Sequence, residues 1–274
     1  MNIEENKSIK EQLNSGQIPT RQIYEDVPTE EIELPSKGKY YPAGHPLSSG
    51  KILLRYPTAK DEDILTSKNL IQKGTVIDVF LQSIIVDKSI NLNDMLLGDK
   101  NALIIASRIM AYGKDYTVEI DCPSCSYKNS VVIDISQFEP KEVENIDSIT
   151  ANDFEVVLPA SKATVRFKVL TQADDKQADA IIKQIKKSVA TQSSPEVTTR
   201  LRLAILSVNG NEDRNEIKRF VDTMLTLDSK ALRDEIYKFS PDVNMKFKFQ
   251  CEECSYEEEM TMPIGISFFW PTSK

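Results

Sequence analysis

The stretch 119-EIDCPSCSYKNSVV-132 sets two cysteines three positions apart between short alternating apolar runs, and 248-KFQCEECSYEEEMT-261 repeats the arrangement near the end of the chain. Alternation predicts strands, 116-YTVEI-120 and 131-VVIDI-135 around the first pair, 245-MKFKF-249 and 259-EMTM-262 around the second. A Cys-x-x-Cys turn between two strands points both sulfurs to one side, and two such turns facing each other make a tetrahedral thiolate site of the size Zn²⁺ takes. Cys122, Cys125, Cys251 and Cys254 are therefore expected to hold one structural Zn²⁺. The bland reading is a pair of metal-free hairpins. A redox pair would place its first cysteine at a helix N-terminus after a strand, and no helical pattern follows either pair. The long separation of Cys125 from Cys251 means that a shared site joins distant parts of the chain.

Sliding the sequence against itself explains why the hairpin is written twice. At an offset of 129, 95-MLLGDKNAL-103 falls on 224-MLTLDSKAL-232, and Cys122, Cys125, Ser126 and Tyr127 fall without a gap on Cys251, Cys254, Ser255 and Tyr256. One short gap upstream pairs 79-VFLQSIIV-86 with 201-LRLAILSV-208, and 52-ILLRYPTAKDEDIL-65 with 165-VRFKVLTQADDKQA-178. Coincidence of cysteines and helix at one offset predicts a duplicated unit. The expected fold is α+β: an extended N-terminal arm (1–49), a first helix-plus-hairpin repeat (50–137), a polar linker containing Pro140 (138–150), and a second repeat with an aromatic C-terminus (151–274). The two tandem copies would meet at a shared zinc-ribbon-like site. Acidic Asp61, Glu62 and Asp63 suit the first turn of a helix over 64–71. Further helices are expected over 92–110, with a polar break at 98–101, and over 172–189, 196–208, 212–225 and 229–239, the last stopped by Pro241. The stretch 190-ATQSSP-195 reads as a loop.

Composition limits the chemistry. Forty-two acidic against 34 basic residues, with a pI near 5.0, would repel a phosphate backbone, and the one basic cluster, 183-KQIKK-187, lies on a helical pattern as a solvated face. Nothing approaches the roughly 18 consecutive apolar residues of a membrane span, and the opening MNIEENKSIK lacks the apolar core of a signal peptide. The expectation is a protein made and used in a cytoplasm, where thiols stay reduced. The single histidine, His45, lies in a Pro/Gly-rich segment, the acidic runs 61–63 and 257–259 are contiguous as in solvent-facing stretches, and 96-LLGDK-100 has one glycine where a phosphate loop needs several. A site filled by four protein thiolates leaves no position for water or substrate. Neither an enzyme nor a small-molecule substrate is expected.

The start of the chain fits neither repeat. Residues 1–31 carry no sustained apolar face, so they are expected to order only against something else. The following 34-LPSKGKYYPAGHPL-47 supplies prolines that limit the entropy lost on docking and aromatics that bury large area per residue. Leu34, Pro35, Tyr40, Tyr41 and Pro42, with Phe268, Phe269 and Trp270 at the other end, are the expected partner contacts. The alternative, in which Phe268 to Trp270 pack back on their own domain, stands beside it.

The run 34-LPSKGKYYP-42, together with 55-RYPTAKDEDILTSKNLIQKGTVID-78, 97-LGDKNALIIASRIMAYGKDY-116, the first Cys-x-x-Cys and the closing 268-FFWP-271, resembles the baseplate protein family of T4-type contractile-tailed bacteriophages. That family includes the baseplate hub subunit and the hub assembly factor. The resemblance implies a structural place in the hub region of the virion tail baseplate, assembled in the bacterial host cytoplasm. Its partners would be other baseplate proteins or further copies of itself, with no membrane and no nucleic acid. The family carries no agreed enzymatic residues to transfer. An assembly chaperone absent from the mature virion is one alternative. A zinc-ribbon nucleic-acid or transcription module is another, although the hairpin tips read Pro123-Ser124 and Glu252-Glu253 and would repel phosphate.

Overall fold

A computed structural model describes residues 27–188, 194–262 and 264–269. Alternation in KILLR turns Ile52 and Leu54 inward along β2 (Lys51–Arg55), which pairs antiparallel with β1 (Thr29–Glu33). Three short helices follow, α1 (Ala59–Leu65), α2 (Lys68–Lys73) and α3 (Val76–Ile84). Gly74, at φ 70°, ends α2 in the left-handed region that a Cβ disfavours. At Ile85 the chain turns extended and bridges Leu54, so the β1–β2 hairpin gains a third line of backbone. Next come α4 (Leu97–Tyr112) and the hairpin of β3 (Asp115–Asp121) with β4 (Lys128–Asp134).

A second run of strands and helices follows. β5 (Phe154–Val157) and β6 (Thr164–Phe167) form a hairpin, followed by α5 (Gln172–Ser188) and α6 (Glu196–Ala204). β7 (Ile205–Val208) pairs with β6, and α7 (Arg214–Thr223), α8 (Thr226–Phe239) and the hairpin of β8 (Lys246–Gln250) with β9 (Glu257–Thr261) complete the run. Local details recur. Thr58 donates its N–H and hydroxyl to Asp61 at 2.8 and 2.9 Å, as Thr171 does to Asp174 at 2.9 Å each. Arg55 grips Asp61 through two bonds of 2.7 Å, and Lys168 grips Asp174 through two of 2.8 Å. Asp99, in the first turn of α4, accepts the N–H of Ser36; Asp228, in the first turn of α8, accepts those of Ala160 and Ser161. Each acidic side chain thus ties a hairpin loop to a helix start, where the dipole favours negative charge.

Two apolar cores result. The larger lies among the loop after β1, α1–α4, β3–β4 and the C-terminal Phe268 and Phe269; the smaller lies between β5–β7 and α6–α8 around Phe167, Ile205 and Leu232. The mixed α/β character agrees with the sequence reading, while several boundaries differ. The helix expected over 196–208 stops at Ala204, because Ile205, at ψ 125°, leaves the helix to pair its β-branched run with β6. The break expected at 98–101 is absent: α4 runs through it, since Gly98 is pressed against Pro241 and Asp99 is satisfied by the loop. The helix expected over 229–239 begins three residues earlier, at Thr226, and the one expected over 212–225 spans Arg214–Thr223, with Asp213 donating no residue to the helix but accepting from the N–H groups of Asn215 and Glu216. Residues 189–193, the end of α5's expected span and most of the 190–195 loop, lie outside the described residues. The linker over 138–150 is docked, with Val143 and Ile149 buried and Pro140 bridging Val243.

The extended arm over 1–49 needs the largest correction. Residues 1–26 lie outside the described residues. From Thr29 onward the segment is β1 and its loop, folded onto its own chain: Leu34, Tyr40, Tyr41 and Leu47 are core residues. Aromatic content that reads as adhesive in sequence is here consumed internally.

Candidate metal centre

Each Cys-x-x-Cys turn is built the same way. The N–H of Cys122 donates to the carbonyl of Tyr127 at 2.9 Å and the N–H of Ser126 to that of Cys122 at 2.8 Å; the matching bonds from Cys251 to Tyr256 and from Ser255 to Cys251 are 2.8 and 3.0 Å. Ser126 and Ser255 take the same left-handed turn, at φ 61° and 54°. The strands β3–β4 and β8–β9 carry these turns to a common point. Cys122 Sγ lies 3.7 Å from Cys254 Sγ, and Cys125 Sγ lies 3.7 Å from Cys251 Sγ. All four sulfurs fall within 4.8 Å of one another.

Four thiolates about 2.3 Å from a central Zn²⁺ would stand about 3.8 Å apart, so the cross-hairpin spacing fits a tetrahedral ion. The titration of the cluster points the same way. Burial pushes the Cys251 thiol up, but the N–H groups of Cys254 and Glu253 and the Asn129 amide outweigh it and bring it down to about 6. Cys125 receives help from the N–H of Tyr127, yet desolvation and three neighbouring thiols push it up to about 12. Cys251 is thus held toward the thiolate and Cys125 toward the thiol, and a bound cation would favour the ionised form of Cys125. The inner cysteines, Cys122 and Cys251, are buried; Cys125 and Cys254 are exposed. Phe249, Ile120, Val131 and Phe247 form an apolar seat beneath them.

Sequence reading missed Asn129. This buried residue donates to the carbonyl of Tyr127 at 3.0 Å and to Cys251 Sγ at 3.6 Å, and accepts the N–H of Glu252 at 2.8 Å. It fastens one hairpin to the other and orients a sulfur at the same time. Its position in an alternating strand hides it; the only signal was an amide in β4 four residues beyond Cys125.

The expected partner contacts are not gathered on a surface. Tyr41 donates its hydroxyl to Asp99 at 2.6 Å and receives the N–H of Leu96 at 3.0 Å, and burial beside that carboxylate pushes its phenol far up. Tyr40 donates to the carbonyl of Phe239 at 2.5 Å. Leu34 and Pro35 are buried and Pro42 is exposed. Phe268 stacks edge-on to Tyr116 and Phe269 to Phe80, both at 5.0 Å, and Arg108 donates to the carbonyl of Phe268 at 3.0 Å. These two rings do pack on the chain, but against the first half rather than on their own domain, and Trp270 lies outside the described residues. His45 caps a single helical turn by accepting the N–H of Leu47 at 3.2 Å. Among the described residues no helix is long and apolar enough to cross a membrane.

No curated protein and no solved structure matches the chain. One family does, described as T4 bacteriophage base plate protein, over residues 27–270, a span that takes in both hairpin pairs, both cores and the four cysteines. The chain belongs to the T4 bacteriophage base plate protein family.

Proposed function

We propose that this protein is a structural piece of the hub region of a contractile-tailed bacteriophage baseplate, working through protein contacts, and that one Zn²⁺ on Cys122, Cys125, Cys251 and Cys254 holds its two cysteine hairpins together. The observation that carries the reading is the reach of the family match, 27–270. The metal part draws on the sulfur spacing and on the origin of the ligands, two from each distant hairpin. With four protein ligands the ion would have no open position and would serve stability alone. Two-stranded hairpins are marginal by themselves, and clipping them to each other stabilises both.

We further infer that residues 29–134 and 154–261 are two copies of one unit. The matched threonine–aspartate caps, the matched loop-tying aspartates and the matched cysteine turns support this. So does a correspondence that lies in the supposed arm: 34-LPSK-37 and 158-LPASK-162 close their hairpins alike, with Lys37 and Lys162 both at positive φ, 49° and 59°. The first copy then begins at β1, and residues 38–49 are an insertion in its hairpin loop.

A mass-spectrometric inventory of purified, mature particles tests the structural role. Presence at fixed stoichiometry is the expected result. Presence only in assembly intermediates would make the protein an assembly factor. Salt-sensitive retention on nucleic acid would revive the ribbon-module alternative.

A further inference from the structure

The two halves grip each other through a contact that only one of them makes. Met95 and Leu96 run extended before α4; Leu96 bridges Thr171, and the N–H of Gln172 donates to the carbonyl of Met95 at 2.8 Å. Beside them Gly98 lies so close to the corner after α8 that a Cβ there would meet the carbonyl oxygen of Pro241 at 1.9 Å. Asn101 completes the seam by donating to Asp242 at 3.0 Å. The start of α4 is thus a socket, and the start of α5 together with the 239–243 corner is the plug. Met95 and Leu96 are buried there, at 0% and 1% exposure.

The matching socket in the second half is open. Met224 and Leu225 run extended before α8 with the same backbone as Met95 and Leu96, ψ 131° and 144°. Yet Leu225 is 58% exposed and Leu227, which stands where Gly98 does, is 60% exposed. Among the described residues no β-bridge involves Met224 or Leu225. The insertion 38–49 that covers the first socket has no counterpart in the short loop over 158–163.

The matching plug in the first half is open as well, and its shape differs in a compensating way. The start of α1 and the corner after α4 border a pocket of about 150 Å³ lined by apolar Pro57, Ala59, Leu65, Phe80 and Ala111, with Thr58, Tyr112 and the acidic Asp61 and Glu62 completing it. That is roughly ten times the room a single water needs. Where the closed seam sets a glycine against backbone, the open surfaces offer a leucine on one side and a largely apolar pocket on the other.

We propose that a second copy of this chain docks head to tail, the Leu225–Leu227 socket of one molecule receiving the Pro57–Tyr112 plug of the next, with Leu227 seated in the pocket. The inference rests on the equivalence of the two halves stated above. Such a contact is heterologous, so it builds a ring where the rotation closes and a filament where it does not. One end of every open assembly then keeps a free socket and the other a free plug.

The test is sedimentation velocity of the full-length protein across the micromolar range. Concentration-dependent association is expected. Leu227→Asp on the socket, or Ala111→Trp in the pocket, should each weaken it by about tenfold or more, as loss of a central anchor does. Leu225→Lys and Ala59→Arg, at exposed positions, repeat the two lesions without risk to the core. The decisive arm mixes a socket variant with a plug variant. Each keeps one good face, so the mixture should form a heterodimer and nothing larger. A protein that stays monomeric throughout overturns the proposal, as does association that survives all four variants, or two lesions that fail to complement. None of these results depends on whether mature particles contain the protein, so the baseplate role and the self-contact fail separately.

Discussion

Asp61 and Asp174 sit in the same place in two helices: each takes the N–H and hydroxyl of the threonine three residues before it and the charge of a cation six residues before it. The two pairs differ in burial. The side chains of Arg55 and Asp61 are 16% and 3% exposed, those of Lys168 and Asp174 26% and 12%.

Removing one member of a buried pair strands the other, so Asp61→Ala should cost about 3–5 kcal/mol. Asp174→Ala should cost less, because Lys168 can turn toward water. The pH dependence has a definite sign. Burial raises the Asp61 carboxyl, but Arg55, the Thr58 N–H, Ser83 and the Thr58 hydroxyl outweigh it and hold it well below the usual range. A folded-state value below the unfolded one gives stability that is complete above about pH 4 and is lost as the pH falls further. Urea midpoints between pH 5 and pH 2 should therefore drop more steeply for the wild type than for Asp61→Asn.

Gly98 reports on the seam between the halves. A Cβ at 1.9 Å from a backbone oxygen cannot be accommodated by rotating a side chain, so the α8–β8 corner has to move. Gly98→Ala should destabilise by about 1–3 kcal/mol or more, as overpacking does, despite the higher helix propensity of alanine. A variant as stable as the wild type in thermal melts would show that the seam is looser than drawn.

The cysteine hairpins, and the helices that precede them at one offset, were legible because their signals are local and written twice. The loop over 34–49 was not, since proline, glycine and tyrosine mark irregular structure without saying what covers it. Its partners, Asp99 and Phe239, lie far along the chain. The split of 196–208 into α6 and β7 was hidden for a related reason: an apolar run of that length suits either element until β6 supplies a neighbour.

Tyr41 measures how firmly that loop is held. Its hydroxyl is shared between Asp99 and the N–H of Leu96, both buried. Tyr41→Phe leaves a buried carboxylate and a buried N–H each short of a partner, a cost of about 1–3 kcal/mol. Deleting residues 1–49 should remove Leu34, Tyr40, Tyr41 and Leu47 from the larger core and prevent folding. A truncation that melts like the full-length protein would contradict the folded loop.

The metal centre separates local from global stability. The smaller core is built outside the cysteine hairpins and the larger draws only Tyr116 and Ile133 of its buried residues from their strands, so loss of the ion should loosen the hairpin pair and lower the thermal midpoint by several degrees rather than unfold the chain. Elemental analysis of protein grown with ample metal should give one Zn per chain, falling toward zero in Cys251→Ser and Cys254→Ser alike. Asn129→Ala tests the orienting bond separately: it removes no ligand, yet frees Cys251 Sγ and the N–H of Glu252 at once. Loss of such a supporting partner typically costs 10–100-fold in metal affinity, so a chelator should strip the variant at concentrations that leave the wild type loaded. Equal resistance would mean that Asn129 only staples the hairpins, and metal-free wild-type protein with an unaltered melt would mean that the hairpins are joined without the ion.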